Sequence, residues 1–447
     1  MDELTIRKIN IDKNGNFQKI FNYIIILYAV LEILCETVVG KYFLAWMERF
    51  QIIFAFALIV MFVMKFFMIG RDAQRAFLKR NILVFVYFAF RLITFIYIGM
   101  QYTMIRSVLF EILYLLVLTE ILIDNAFVRQ TIFKLFIAIN VILNLINTFF
   151  HLYCEPLRAS GITDNTIYNF ALKYTYMEKF SFETICSMYS NPNQMGVMTG
   201  LALLISLTYL KKKMSNKAKV LYVIYAGFSL YALYLSRCNS AQIALLAAVL
   251  AFAAVKLIRV ISPKMIAYAC LASCLIVTGG ILGFVASHGD LHTSYTEKQW
   301  EIDRFTSTRY TIWRNCYFTH KTTDEVLLGN GNVALEKLDR AEYMHKIKVY
   351  KGGITLADMK QYLGTHNGYI GMLYCTGALG ALVFLVLLIK KMKESKALSK
   401  DSKYYMAIVY MLVDNLLESF MVVNKSSPVF IFFLILAMKS ENEEVEE

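Results

Sequence analysis

Side chains that exchange protons and bind anions cluster in one polar stretch of a sequence that is otherwise almost continuously apolar. The stretch from Ala286 to Thr365 holds four of the six histidines: His288, His292, His320 and His345. A fifth, His366, opens the return to apolar sequence. Histidine is the side chain that most readily exchanges protons near neutral pH. Chemistry is therefore expected at or beside this stretch, where several arginines also lie.

Arg237 stands in the junction Tyr234 to Ser240, which joins two apolar runs with almost no loop. An arginine at a membrane interface is costly unless it reaches water or an anion. Two interpretations stay open: an interfacial anchor, or a guanidinium that holds a phosphate or diphosphate through its planar fork of donors.

Two motifs inside the polar stretch have simple structural explanations. Arg309 and Trp313 are four residues apart and share one helix face, as on an ordinary amphipathic surface helix. The segment from Leu328 to Asn332 contains Gly-Asn-Gly but lacks the Gly-Lys-Ser/Thr ending of a nucleotide-binding loop. It is predicted to be a tight turn.

Polar residues also open two of the apolar helices. In the segment Asn191 to Gly196, an Asn-Pro pair suits the N-cap and first position of a helix. In the segment Thr365 to Asn367, His366 lies where it can contact both an aqueous loop and a lipid-borne substrate. A purely capping or interfacial histidine is the alternative.

Charged residues within apolar runs are functional candidates by default. They are Glu32, Arg91, Glu111, Glu120, Asp414 and Glu418. Arg91 is expected to pair with one carboxylate, which the sequence does not identify. No histidine or cysteine spacing predicts a metal site, and no cofactor is predicted. Cys154 and Cys186 fall in or near one loop, which leaves a disulfide between them open.

Composition places the chain among helical membrane proteins. It is 58% hydrophobic and 18% charged, whereas soluble domains are about half apolar and about a quarter charged. Runs of about 20 apolar residues recur throughout. The fold predicted is all-α, with about 12 (11–12) transmembrane helices. They are expected near 20–38, 51–69, 82–99, 107–123, 132–151, 193–210, 219–235, 241–258, 266–286, 367–389, 404–423 and 428–438.

The net charge of +13 is better explained by topology than by nucleic-acid binding, because basic residues concentrate in short loops that would all be cytoplasmic. Both termini are then cytoplasmic and the long polar stretch is outside. The predicted organisation is helices 1–5 with a first outer loop (1–190), helices 6–9 (191–287), a large extracytoplasmic loop (288–366), helices 10–12 (367–439) and an acidic tail (440–447).

In their order, these motifs resemble the O-antigen ligase and polymerase family of membrane glycosyltransferases. The resemblance covers about residues 191–389. It rests on Asn191-Pro192-Asn193-Gln194-x-Gly196, Ser236-Arg237, a large outer loop with Arg309-x-x-x-Trp313 and Gly329-x-Gly331, and His366-Asn367-Gly368-Tyr369-x-Gly371 continuing to Gly377-x-x-Gly380. No motif is specific alone, and Cys238-Asn239-Ser240 replaces the small residues that often follow Ser-Arg in the family.

The resemblance implies a C-type glycosyltransferase fold in the bacterial cytoplasmic membrane, acting on undecaprenyl-diphosphate-linked oligosaccharide at the outer face. It implies catalytic roles for His366, Arg309 and Arg237. Neighbours in the same motifs are candidate substrate-binding residues: Arg304, Arg314, Trp313, Asn193 and Asn367. The bilayer, a flippase and a chain-length regulator are the expected partners, and nucleic acid is not.

The function expected first is a polysaccharide polymerase that joins lipid-linked repeat units into a capsular, exo- or O-antigen polysaccharide. A ligase of the same family, which moves finished glycan to another acceptor, is the first alternative. A lipid-linked oligosaccharide flippase or other transporter is an alternative of a different class. The long outer loop favours an enzyme, because transporters usually place their polar groups at the membrane midplane between repeats.

Overall fold

The computed structural model describes most of the chain, including at least part of each predicted apolar segment. The described residues are 15–37, 46–98, 102–118, 125–161, 165–169, 188–189, 191–210, 215–288, 301–302, 306, 309–319, 323–329, 331, 365–418 and 426–438. Most of the long polar stretch lies outside these ranges, including Arg304, His292, His320 and His345.

The described part of the chain is helical, as predicted. Its helices are α1 (Gly15–Cys35), α2 (Met47–Met68), α3 (Arg71–Arg80), α4 (Ile82–Ile98), α5 (Tyr102–Ile112, continued by a π-helical segment Leu113–Leu118), α6 (Ala126–Ala159), α7 (Pro192–Ser206), α8 (Asn216–Leu235), α9 (Asn239–Leu257), α10 (Pro263–His288), α11 (Arg309–Thr319), α12 (Thr323–Leu328), α13 (Gly368–Glu394), α14 (Tyr405–Leu417) and α15 (Ser427–Leu436).

Each of the twelve predicted apolar segments falls on a helix, but fewer helices than predicted are long enough to cross a membrane. Seven pass by length and composition among the described residues: Phe17–Cys35, Arg49–Met68, Ala126–Leu157, Asn216–Leu235, Asn239–Leu257, Pro263–Ser287 and Gly368–Glu394. The pair α3 and α4 qualifies only as one span bent by 66°. The chain is thus a helical membrane protein with seven or eight spans by this measure, rather than the twelve expected.

The shorter apolar helices α7, α14 and α15 form the interior of the bundle. Every residue of α15 is buried, as are nearly all residues of α7 and α14. A helix that is apolar around its whole circumference is either a membrane span or packed inside protein, and the burial of these three helices shows the second. Helix α14 contacts α7, α9, α10, α13 and α15. Apolarity alone therefore overstated the number of spans, because it does not distinguish a lipid-facing helix from one packed within protein.

Helix α13 is broken at Gly377, and the polar stretch fills the break. Gly377 has φ 67° and ψ 178°, a backbone conformation that glycine adopts without steric cost. A Cβ atom there would lie 2.2 Å from the carbonyl oxygen of Leu327, at the end of α12. Gly329, with φ 79°, lies beside it, and Thr94 of α4 donates to the Leu328 carbonyl at 2.7 Å. The turn predicted over Leu328 to Asn332 lies partly outside the described residues.

A buried ion pair adjoins this break. Arg91 of α4 donates from Nε and Nη2 to the two carboxylate oxygens of Glu111, both at 3.0 Å. Its Nη1 lies 3.5 Å from the carbonyl oxygen of Cys375, at the end of the first half of α13. A cation is favourable there because helix C-termini carry partial negative charge. Glu111 is thus the carboxylate that the sequence left unidentified.

Neutral donors satisfy a second intramembrane carboxylate, Glu32. The hydroxyls of Tyr28 and Tyr114 donate to its two oxygens at 2.7 and 2.9 Å, and Gln51 also donates to it. Cys154, one half of the disulfide left open, is a free, buried cysteine among the described residues. Glu120 and Cys186 lie outside the described residues.

Replacing Gly377 with alanine should destabilise the protein. Backbone with positive φ and ψ near 180° is essentially restricted to glycine and costs another residue about 1–3 kcal/mol, and the new Cβ would meet the Leu327 carbonyl. Gly279→Ala is the matched control, because no atom lies within 4 Å of its Cβ position on α10. Thermal unfolding in detergent should show a lower midpoint for Gly377→Ala alone. Equal midpoints for the two variants would contradict the broken α13.

Breaking the buried ion pair should be more harmful than removing it. Glu111→Leu leaves an uncompensated guanidinium and should cost about 3–5 kcal/mol of unfolding free energy. The double variant Arg91→Met/Glu111→Leu removes both charges and should recover most of that loss. Thermal unfolding of the single and double variants measures the difference. If the double variant is as unstable as the sum of its singles, the two residues are not paired.

Candidate functional site

Three separate helix beginnings and the end of α14 meet at one buried carboxylate, Glu418. Its Oε1 accepts from Asn193 Nδ2 at 2.6 Å and from Arg309 Nη2 at 3.0 Å. Its Oε2 lies 3.2 Å from Nδ1 of His366. The Glu418 side chain is only 7% exposed, whereas those of Arg309 and His366 are 24% and 22% exposed. The three donors therefore stand between the carboxylate and the outside of the bundle.

His366 is held in a strained turn that begins α13. Its φ is 46°, a left-handed conformation that costs a non-glycine residue about 1–3 kcal/mol. After it, Asn367 caps α13 through its Oδ1, which accepts from the backbone N–H groups of Tyr369 and Ile370. The Gly368 N–H donates to the Glu418 carbonyl at 3.1 Å. Fixed on its helix side in this way, the histidine backbone has little freedom to relax.

Trp313 fixes the other side of the same turn. Its indole Nε1 donates to the carbonyl of Thr365 at 2.9 Å, and its side chain is buried among residues of α10, α11 and α13. Trp313 lies one turn after Arg309 on α11. One helix face therefore supplies both the cation that contacts Glu418 and the indole that binds the turn containing His366. The shared face was predicted, but its interpretation as an ordinary surface helix was wrong, because α11 is largely buried.

Helix α7 brings Asn193 to the site by its N-terminal turn. Asn191 is the N-cap, as predicted, and its Oδ1 accepts from Gln194 N–H at 2.8 Å. Pro192 occupies the first helical position, where its missing N–H costs nothing. Asn193 then points its amide at Glu418. The motif thus has two roles: Asn191 and Pro192 begin α7, and Asn193 contacts the carboxylate of the site.

Arg237 lies in the turn between α8 and α9 and is exposed. It has φ 49°, and it and His366 are the two non-glycine residues with positive φ in the described chain. Ser236 closes the turn by donating to the Leu233 carbonyl and accepting from Cys238 N–H. Among the interactions of the described residues, none joins Arg237 to Glu418. Arg237 is therefore not part of the hydrogen-bonded group around that carboxylate.

The turn is nonetheless next to the site. Asp414 and Glu418 both lie close enough to the Cys238 thiol to influence it electrostatically. Strained backbone concentrates at functional positions, and here two such positions border one group of charges. The carboxylates of α14 thus link the Arg237 turn to the His366 turn.

Asp414 lies one helical turn before Glu418 on α14 and is fully buried. Ser240 and Arg309 are near enough to stabilise its charge and Glu418 to oppose it. Yet no hydrogen bond of normal geometry reaches either carboxylate oxygen among the described residues. Asp414 is therefore the less well satisfied of the two carboxylates.

The other predicted binding residues are dispersed. Arg314 is buried at 3% exposure on α11, and it has no contact with Glu418 among the interactions of the described residues. Asn367 is buried and engaged as the cap of α13, although its Nδ2 has no hydrogen-bond acceptor in the described part of the chain. Arg304 lies outside the described residues.

The arrangement suits proton transfer beside an anion. A histidine whose Nδ1–H points at a carboxylate presents Nε2 as a base. Arg309 shares the Glu418 carboxylate with this base, and Arg237 stands in the turn beside Cys238, which lies near the same carboxylate. No three His, Cys, Asp or Glu side chains within the described ranges form a group suited to a metal ion.

Sequence reasoning identified Asp414 and Glu418 as intramembrane charges but did not assign them to the site. The signal was present, because an ionisable residue within an apolar helix is a functional candidate by default. What the sequence lacked was the partner: Glu418 lies 225 residues from Asn193 and 109 from Arg309. No protein-family model matches the chain, and no curated protein matches it at a significant level.

Glu418 and Asp414 should respond differently to neutralisation. Glu418→Ala leaves three polar partners without their acceptor, and each unsatisfied buried group costs about 1–3 kcal/mol. Asp414→Asn replaces a buried carboxyl group that has no hydrogen bond among the described residues by a neutral group of the same shape, and should leave stability nearly unchanged. Thermal unfolding in detergent compares the two directly. Equal losses would contradict the role of Glu418 as the shared acceptor of the site.

Proposed function

We propose that the chain is a polysaccharide polymerase, a glycosyltransferase that joins lipid-diphosphate-linked repeat units. The observation that carries the proposal is the convergence of His366, Arg309 and Asn193 on Glu418. These residues come from three of the motifs that resemble the O-antigen ligase and polymerase family, and they are far apart in sequence. A shared reaction centre explains why the motifs occur together.

In the proposed reaction, His366 is the general base. Its Nδ1–H donates to Glu418, which fixes the tautomer and orients the ring, and Nε2 accepts the proton of an acceptor sugar hydroxyl. The imidazolium that forms is stabilised by the same carboxylate. Such a base typically contributes about 10²- to 10⁴-fold to a rate. Glu418 is a positioning residue because it acts through the histidine.

The deprotonated hydroxyl oxygen attacks the anomeric carbon of the donor sugar. A C–O bond to the acceptor forms as the bond from the anomeric carbon to the phosphate oxygen breaks. The electron pair leaves with the lipid diphosphate, and the proton stays on His366 Nε2. Direct displacement inverts the anomeric configuration.

Arginines would stabilise the charge that grows on the leaving group. Arg309 is partly exposed and pairs with Glu418 through only one of its terminal nitrogens, so other donors of its guanidinium are available to a diphosphate. Arg237 stands exposed in its strained turn. Two cations near the base suit a donor with two phosphate groups.

The remaining parts of the proposal concern the setting. We place the site at the outer face of a bacterial cytoplasmic membrane, with both termini inside, in a C-type glycosyltransferase fold. The substrate is undecaprenyl-diphosphate-linked oligosaccharide. A flippase that supplies it and a chain-length regulator are the partners we expect.

The test compares His366→Ala with a second histidine–carboxylate pair in the same chain. His151 Nδ1 lies 2.9 Å from Glu155 Oε2 on α6, and neither residue contacts Glu418 among the interactions of the described residues. Purified protein is supplied with lipid-diphosphate-linked repeat units, and polymer length is read on gels. His366→Ala should lower the rate at least about 100-fold, as should Glu418→Ala, whereas His151→Ala should match the wild type. Normal polymer from folded His366→Ala protein would refute the catalytic assignment.

The product distinguishes the alternative functions. In cells lacking a polymerase, single repeat units are displayed outside. Loss of a ligase would leave long polymer attached to its lipid carrier, and loss of a flippase would trap lipid-linked units on the inner face. Either of the last two outcomes would replace the proposed function.

A further inference from the structure

Arg314 is a buried cation without a hydrogen-bonded partner. Only 3% of its surface is exposed. Its Nε and Nη2 atoms have no hydrogen-bond acceptor among the described residues. Arginine does not lose its proton in proteins. A buried charge without a partner costs several kcal/mol, so this arrangement calls for an anion.

The same chain shows what a resident structural arginine looks like. Arg91 is equally buried, but its guanidinium is paired with both oxygens of Glu111. The surroundings of Arg314 are different. Tyr310, one turn earlier on α11, packs edge-on against Phe284 of α10 at 6.0 Å between ring centroids. The neighbours Ile312 and Trp313 belong to an apolar cluster of α10, α11 and α13. These neighbours supply no negative charge.

Arg314 is nevertheless placed beside the candidate site. Trp313, the preceding residue, donates to the carbonyl of Thr365, which adjoins His366. Arg309, five residues earlier, contacts Glu418. Five residues of helix correspond to about 7.5 Å along the axis and about 140° around it. Arg314 therefore leaves the helix in a different direction from Arg309, and one phosphate group would not be shared by both.

We propose that Arg314 forms a second oxyanion-binding subsite, distinct from the Arg309–Glu418 pair. The planar guanidinium fork matches the oxygens of a phosphate or a carboxylate. The identity of the ligand rests on the proposed function. A polymerase has two lipid-linked substrates, and the second of these substrates carries its own oxyanion. That oxyanion is either its diphosphate or the carboxylate of an acidic sugar.

The first part of the test needs no ligand. Arg314→Met replaces the guanidinium with an apolar side chain of similar length. Because an unpaired buried charge is removed, the thermal midpoint of the ligand-free protein should be unchanged or higher. Arg259→Met, at an exposed arginine in the turn between α9 and α10, is the control for losing one positive charge. A clearly lower midpoint in Arg314→Met alone would overturn the proposal, because it would mean that the chain itself pairs this arginine.

The second part measures binding of three probes: farnesyl diphosphate, glucuronic acid, and phosphatidylglycerol in mixed micelles. One probe should bind Arg314→Met about 10- to 100-fold more weakly than wild type, as expected for lost charged hydrogen bonds. Arg314→Lys should recover part of the affinity, and Arg259→Met should bind normally. A loss with farnesyl diphosphate identifies a diphosphate, and a loss with glucuronic acid identifies an acidic sugar. Unchanged binding of all three probes would overturn the subsite.

Failure of the subsite and failure of the proposed function are separable. The binding measurements do not depend on turnover, so they remain valid if no polymer is made. A loss confined to phosphatidylglycerol would keep the oxyanion site and remove its assignment to a substrate. If polymer is made, Arg314→Met should raise the KM for the acceptor and leave kcat close to wild type. A fall in kcat alone would contradict acceptor binding.

Discussion

The Glu418 carboxylate is the contact on which the geometry of the candidate site depends. It accepts hydrogen bonds from the beginnings of α7 and α11, faces the histidine before α13, and ends α14. A carboxylate buried in a membrane protein is stable only when donors surround it. The need to satisfy one charge thus draws four helix ends together. The backbone carbonyl of the same residue accepts from Gly368 N–H. This hydrogen bond fixes the distance between Glu418 and the start of α13.

Strain is stored next to that contact. His366 and Arg237 both adopt left-handed backbone, and each turn is closed by hydrogen bonds from its neighbours. Trp313 and Asn367 hold the first turn, and Ser236 holds the second. Such positions persist only where the surroundings over-determine them. In a glycosyltransferase, a base and a cation fixed before substrate arrives would reduce the reorganisation needed during the reaction.

Buried charged residues of two kinds occur among the described residues. Arg91 with Glu111, and Glu32 with its tyrosine donors, are well paired and lie at helix contacts where they stabilise packing. Asp414 and Arg314 are buried with polar atoms that have no hydrogen bond in the described residues. Asp414 lies one helical turn before Glu418, and Arg314 lies five residues after Arg309, which contacts Glu418. The incompletely satisfied charges therefore occur beside the candidate site, where a substrate could complete them.

Local signals in the sequence were sufficient for the apolar helices and for the cap of α7. Each of the twelve predicted apolar runs falls on a helix, and the Asn191-Pro192 pair marked the start of α7, because propensity and capping act within a few residues. The polar helices α3 and α12 were not predicted. The same signals pointed to His366 and Arg309. They did not separate lipid-facing helices from the buried α7, α14 and α15, since both kinds are apolar.

Only the tertiary structure selected the partners. Glu111 for Arg91, Glu418 for His366, and the α12 turn inside the break at Gly377 all join residues of different helices. Helical periodicity says which residues share a face, but not which face meets which. That choice depends on packing and on the need to satisfy buried charges across the whole bundle. The sequence thus determined a helical membrane protein with candidate residues, and packing made some of them into one site.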